Sequence, residues 1–186
     1  MALLMDRFEI PFVLVERNAG LTDHPRARGA WVRTMELFRQ WGIERAVKAR
    51  GLPDDANGFA FVTSIAGHEY GRVPREIDLG QTPAWKCTVS QDVVEDELFQ
   101  VVRRSRWGRV CHGTEFLRHE EVAEGIHAFT RDTATGEETR WSARYLVAAD
   151  GAGSGLRRQL DIAMTGPASL AIMNNDYWQG DLSHLP

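Results

Sequence analysis

Residues 145–158 read YLVAADGAGSGLRR. An apolar run ends on an acid, Asp150. Glycines at 151, 153 and 155 then open the backbone around Ser154, and Arg157 and Arg158 follow. Such a set can hold an anion. Gly151 and Gly153 admit close main-chain approach without a Cβ, a helix start offers unpaired N–H groups, and a guanidinium bonds phosphate at two oxygens. It can equally be a glycine-rich strand-to-helix turn capped by its own aspartate. A second acid, Glu16, closes the run FVLVE (12–16). A carboxylate at the tip of a second strand is where a dinucleotide fold bonds a ribose, about 20 residues after its glycine fingerprint. The alternative is an acid that starts a loop. That distance back from Glu16 falls ahead of Met1, and no GxGxxG occurs in the chain. The sequence reads as though entered midway through a βαβ unit.

Other chemistries find little support. Ser-His-Asp and HExxH patterns are absent, and His68, His112, His119, His127 and His184 stand singly. Cys87 and Cys111 lie 24 positions apart with no paired spacing, which disfavours a disulfide framework or a zinc site and makes a reducing cytoplasm the default.

The elements that must position Glu16 and Asp150 follow from periodicity. Residues 2–9 suit the last turns of a helix, closed by Pro11, and 12–16 a buried strand. A polar loop over 17–27 leads to a helix over about 28–40, with Trp31, Met35 and Phe38 on its apolar stripe and Gly42 ending it. Residues 58–74 alternate in short runs broken by glycine and predict a β-hairpin. Pro83 and Lys86 fall in a loop, and Ser90 is placed to cap a helix over 91–105. RVCH (109–112) suits a short strand. Residues 115–150 predict a β-meander turning at Thr135-Gly136, its last strand, YLVAAD, apolar enough to be covered on both faces. The fold class expected is α/β, with a parallel core and an antiparallel insert.

Bulk properties set limits. At 186 residues the chain is one domain or part of a larger one, and 43% apolar with 26% charged residues suits a globular core. A net charge of −4 with mixed signs argues against nucleic acid as partner. The start, MALLMDRFEIPF, is too short and too charged for a signal peptide or a membrane span.

Four stretches in order, LVERN, HPRARGAWVRTMELFRQWGI, VSQDVVEDEL and YLVAADGAGSGLRRQL, resemble the FAD-dependent aromatic hydroxylases, the single-component flavoprotein monooxygenases of phenol, para-hydroxybenzoate and polyketide type. The resemblance runs from about residue 2 to 166, and the tail LAIMNNDYWQGDL follows it more loosely. It implies an incomplete Rossmann-like FAD-binding domain over 1–57 and 88–166, lacking the N-terminal glycine loop. Residues 58–87 and 167–186 would form part of a substrate-binding sheet. It also implies FAD, NAD(P)H, O2 and a small aromatic substrate, hydroxylated through a flavin C4a-hydroperoxide. No catalytic side chain is implied, because the flavin carries the hard step while the protein places and shields it.

Position by position, the resemblance puts Glu16 on the adenosine ribose and Arg17 near the adenine. Arg26 or Arg28 would lie by the pyrophosphate or the isoalloxazine. Arg33 would approach the flavin or be an exposed helix arginine near Glu36. Gln91 would contact the ribityl chain or pyrophosphate, or be a first-turn polar residue. Asp150 and Gly151 would place the pyrophosphate. Phe59, Phe61, Tyr70 and Trp85 are candidates for an aromatic substrate wall or for the core. A second Gly-Asp motif would lie beyond Pro186, so the chain is expected to be an interior piece of a hydroxylase, with an open FVLV edge prone to pair in a dimer. Two other readings are kept: a reductase or halogenase of the same fold, and a non-catalytic piece that binds a partner.

Overall fold

The structure, a computed structural model, describes residues 1–24, 26–53, 58–73, 76–167, 169, 171–172 and 180–181. The tail sequence and His184 lie largely outside these. The chain opens with helix α1 (Ala2–Arg7) and strand β1 (Phe12–Val15). The link between them is a tight C-terminal cap: Glu9 takes φ 55°, its N–H meets Asp6 O at 3.1 Å, and Ile10 N–H reaches Met5 O at 2.9 Å. β1 pairs in parallel with β6 (Gly108–Cys111), Phe12 opposite Gly108 and Val15 opposite Cys111. α1 packs on both strands and on helix α4 (Gln91–Val102), a helix-on-parallel-strand layer.

The expected helix over 28–40 begins later. Arg28–Ala30 is a strand, β2, antiparallel to β5 (Cys87–Ser90), and helix α2 spans Val32–Gln40. Pro83 and Lys86 fall in a loop as expected, whereas β5 and helix α3 (Glu44–Arg50) were not foreseen. The reason lies in the core. Ala30, Met35, Phe38, Ile43, Val47, Ala84, Cys87 and Val89 form one buried cluster, with Val94, Leu98 and Val101 of α4 packed against it. Its members alternate along β5 and recur helically along α2, so each period shows only once the elements meet. Trp31 is not in that core. It is 67% exposed at the start of α2, with the Lys86 ammonium 5.3 Å from its ring centre.

The hairpin forms as expected, β3 (Phe59–Val62) against β4 (Glu69–Val73), with every β3 residue exposed. A two-stranded hairpin is marginal alone in water. One contact ties it to β2: the Arg28 guanidinium lies 5.1 Å from the Phe59 ring centre; beyond β4, Glu76 pairs with Lys86 at 2.8 Å. The meander is β7 (Thr114–Val122), β8 (Gly125–Asp132) and β9 (Glu138–Ala143), its last turn carrying Gly136 at φ 75°. The expected strand YLVAAD does not form. Residues 145–150 have no ladder partner among the described residues, and Tyr145 and Val147 are 81% and 51% exposed. An apolar run has strand propensity, but a strand exists only where a neighbour takes its backbone bonds. A short helix, α5 (Gly155–Gln159), closes the described fold. Among the described residues no helix is long and apolar enough to cross a membrane.

Candidate functional site

Glu16 stands just past β1, held by the parallel pair. Its N–H donates to Cys111 O and its carbonyl accepts from Thr114 N–H, both at 2.9 Å. Its carboxylate accepts from the Asn18 N–H at 2.8 Å through Oε1, which orients the half-buried side chain. The arrangement offers acceptor positions at the tip of a strand, the chemistry a sugar diol needs. Arg17 follows, exposed, and Arg26 is likewise exposed in the next loop. Among the described residues neither has a hydrogen-bonded or ion-paired partner, so both cations remain available to an anion.

The β2–β5 ribbon brings two more candidates together. Arg28 is opposite Ser90, and the Gln91 N–H donates to Ala27 O at 2.9 Å. The Gln91 side chain bonds within its own helix, Nε2 to Glu95 Oε1 at 2.6 Å. Ser90 holds the N-cap position of α4, but its hydroxyl bonds the Asp92 carboxylate and caps no amide. Arg33 lies near Glu36 on α2. Its guanidinium pairs with Glu36 at 2.9 Å on an exposed helix face. Glu36 also accepts from the Thr82 hydroxyl at 3.0 Å, and these two bonds, with the Arg33 charge, hold its carboxyl below the ordinary range. Arg33 therefore helps anchor the loop that enters β5.

The turn at Asp150 is largely self-satisfied. Gly151 takes φ 77°, and Ser154 N–H closes the turn on Gly151 O at 3.0 Å. The Asp150 carboxylate accepts from the Leu156 N–H at 3.2 Å, and buried Ser154 accepts from the Arg157 N–H at 3.0 Å. Arg157 and Arg158 bond Ile162 O and Gly153 O, so both guanidinium groups secure their own backbone. The Ser154 hydroxyl and the Leu156 amide hold the Asp150 carboxyl below the ordinary aspartate value. The sign follows: a depressed folded-state pKa contributes stability above the unfolded value of about 3.9, lost as pH falls through the folded value. The Leu156 amide resonance is expected to stay constant above that range and to titrate only below it. An Asp150→Asn chain should show no such titration.

Of the four aromatic candidates, Phe59, Phe61 and Tyr70 are 60%, 61% and 73% exposed on the hairpin. Trp85 instead lines a separate hollow of about 210 Å³ with Lys48, Leu52, Pro53, Lys86 and Cys87. None of the four is in the core. Their exposure cannot be read from the sequence, because it depends on the hairpin lying outside the α2–α3–β5–α4 cluster. The stacking of Arg28 on Phe59 was also missed; no local signal joins residues so far apart in sequence.

Residues 1–178 match the model of a family described as an FAD binding domain. A Streptomyces coelicolor protein named as a polyketide hydroxylase is 37% identical over 175 residues, 91% of this chain and 28% of that one. Aklavinone 12-hydroxylase DnrF of Streptomyces peucetius subsp. caesius is 34% identical, covering 98% of this chain and 39% of its own. The crystal structure of the flavin-dependent monooxygenase PieE in complex with FAD and substrate superposes with a TM-score of 0.82 at 31% identity, over 89% of this chain and 30% of PieE. The chain thus spans well under half the length of these relatives.

Proposed function

We propose, from the premise that this chain belongs to the FAD binding domain family, that it is the flavin-binding part of an aromatic hydroxylase using NAD(P)H and O2. Residues 1–57 and 88–166 would bind FAD, and 58–87 would contribute to the sheet that holds a small aromatic substrate; the expectation for 167–186 falls largely outside the described residues. The observation that carries this reading is Glu16: its carboxylate is oriented by the Asn18 amide at the tip of a parallel strand, inside a stretch that matches the family.

The donor set fits the cofactor. Glu16 would accept from the adenosine ribose hydroxyls, and Arg17 would lie toward the adenine. Arg26 supplies a free cation to the pyrophosphate, as charge-assisted bonds to phosphate require. Gln91, tied to the loop by its main chain, would reach the ribityl side only by exchanging its side-chain bond to Glu95. Asp150 and Gly151 set the turn that the cofactor lies against. Bound FAD, reduced by NAD(P)H, would activate O2 and deliver one of its oxygen atoms to an electron-rich ring, the other leaving as water. The chain's own contribution is to orient the cofactor and keep water from it.

Equilibrium titration of the chain with FAD, followed by flavin fluorescence, tests this. Saturable but weak binding is expected, because the glycine loop that supplies much of dinucleotide affinity has no counterpart in the chain, and Glu16→Gln should weaken it about tenfold, which corresponds to about 1.4 kcal/mol. No saturable binding, or equal binding by the variant, would overturn the reading; where flavin binds, NADPH consumption with phenols and polyketides follows.

One observation favours a second reading, a partner-binding piece. Among the described residues β1 is paired on one side only, and Val13 is 43% exposed. Such an edge is a template for another strand, including that of a second copy. Sedimentation showing a monomer across a hundredfold concentration range would remove this reading.

A further inference from the structure

Gly113 lies in the short link between β6 and β7, at φ 61°. Left-handed backbone is disfavoured for residues that carry a Cβ, and most of all for β-branched ones. In this conformation its two main-chain groups serve two different neighbours. The Gly113 N–H donates to Asn18 O at 2.9 Å, and the Gly113 carbonyl accepts from the Thr133 N–H at 2.7 Å. Asn18 in turn donates its N–H to Glu16 Oε1 at 2.8 Å. One glycine thus joins the loop after β1 to the turn between β8 and β9. Both ends of this relay are held. The Glu16 main chain is bonded to Cys111 O and to the Thr114 N–H, so only its side chain is left to be aimed. His112, beside Gly113, packs its ring at right angles to Phe99 of α4, ring centres 5.2 Å apart. At the other end Thr133 follows Asp132, whose N–H donates to Glu137 O at 2.9 Å. The Asp132 carboxylate accepts from the Thr135 and Ala134 N–H groups at 2.8 and 2.9 Å. Those two amides hold its carboxyl below the ordinary aspartate range, so the turn keeps its charged cap at neutral pH.

We propose that Gly113 and Thr133 are positioning residues for the Glu16 carboxylate: the β8–β9 turn, acting through the Thr133 N–H, Gly113 and Asn18 O, sets the Asn18 amide that aims Glu16 Oε1. This deepens the proposed function and rests on its reading of Glu16 as the acceptor for the adenosine ribose. A carboxylate that is already aimed loses less rotamer freedom on binding, and that saving is the gain in affinity. The turn over residues 132–137, far along the chain from Glu16, thereby takes a share in cofactor affinity through main-chain bonds alone.

The test follows two readouts on the 186-residue chain: amide hydrogen exchange without flavin, and equilibrium titration with FAD. Gly113→Val strains the left-handed φ and drives a branched side chain at Thr133 Oγ1, which a Cβ alone would meet at 3.3 Å. The Asn18 amide should then exchange faster. FAD affinity should fall about fivefold, less than the tenfold loss expected of Glu16→Gln, because a positioning residue cannot be worth more than the group it positions. Added to Glu16→Gln, Gly113→Val should cost under about twofold more. Gly113→Asn is the rescue, since asparagine enters the left-handed region readily, and should stay within about twofold of wild type. Gly42→Val places similar strain, at φ 77°, in open space beyond α2 and should move neither readout. Should Gly113→Val not fold, Asp132→Ala, which removes both capping bonds of the turn, must speed Asn18 exchange in its place. Unchanged Asn18 exchange, or additive losses in the double variant, would overturn the proposal. Faster Asn18 exchange in a chain that binds no FAD sinks the flavin reading alone, whereas FAD binding that depends on Glu16 but not on Gly113 sinks this one alone.

Discussion

Met35→Ala is expected to lower the free energy of unfolding by about 2–5 kcal/mol. Met35 is fully buried at 0% exposure, in the cluster formed by α2, α3, β5 and α4. Truncation removes its transfer free energy and leaves a cavity that Phe38, Val47 and Val89 cannot close without moving the elements they anchor. Folded domains hold only about 5–15 kcal/mol in total, so the loss is a large fraction of the whole. Urea unfolding should show a lower midpoint with an unchanged slope. Trp31→Ala is the internal control. Trp31 is larger but 67% exposed, and should cost under about 1 kcal/mol. Equal losses at the two positions would mean that the cluster described above is not the stabilising core.

Gly125→Ala is expected to cost about 2–4 kcal/mol, from two separate causes. Gly125 opens β8 at φ 149°, a conformation side chains rarely adopt, and an added Cβ would lie 2.3 Å from the Ala143 carbonyl oxygen of β9. The obstacle is backbone in a paired strand, held by the register of Ile126 opposite Ala143, so it cannot swing aside as a side-chain tip would. The expected phenotype is local. The Val122–Gly125 turn and the end of β9 should lose amide protection first, while the α2–α3–β5–α4 core keeps its own. Uniform loss of protection would show that meander and core unfold as one unit.

The sequence was most legible where chemistry is local. FVLVE ends on an acid, and Glu16 is found oriented at the tip of β1. Gly42 caps α2 at φ 77° and Gly136 turns the meander, as residues without a Cβ allow. The Asp150–Ser154 turn is capped by its own aspartate and serine, one of the two readings its residues allowed. Hairpin and meander both follow from alternation broken by turn residues. Arg33 is open between two roles because both place an arginine on the first turn of a helix; the structure adds its pairing with Glu36.

What the sequence alone determined, then, are the backbone signals within a few residues of one another: the strand ends, the caps, the turns and the family-like order of four motifs. The tertiary structure decided which apolar residues are covered. Trp31 fits the helical stripe of Met35 and Phe38, yet it stands exposed because three residues before it pair with β5. YLVAAD is as apolar as FVLV, but only FVLV finds a parallel neighbour, in β6. The physical reason is the same in each case. Burial and strand pairing are properties of two segments at once, and loop closure over some fifty to ninety residues leaves no trace in either segment taken singly.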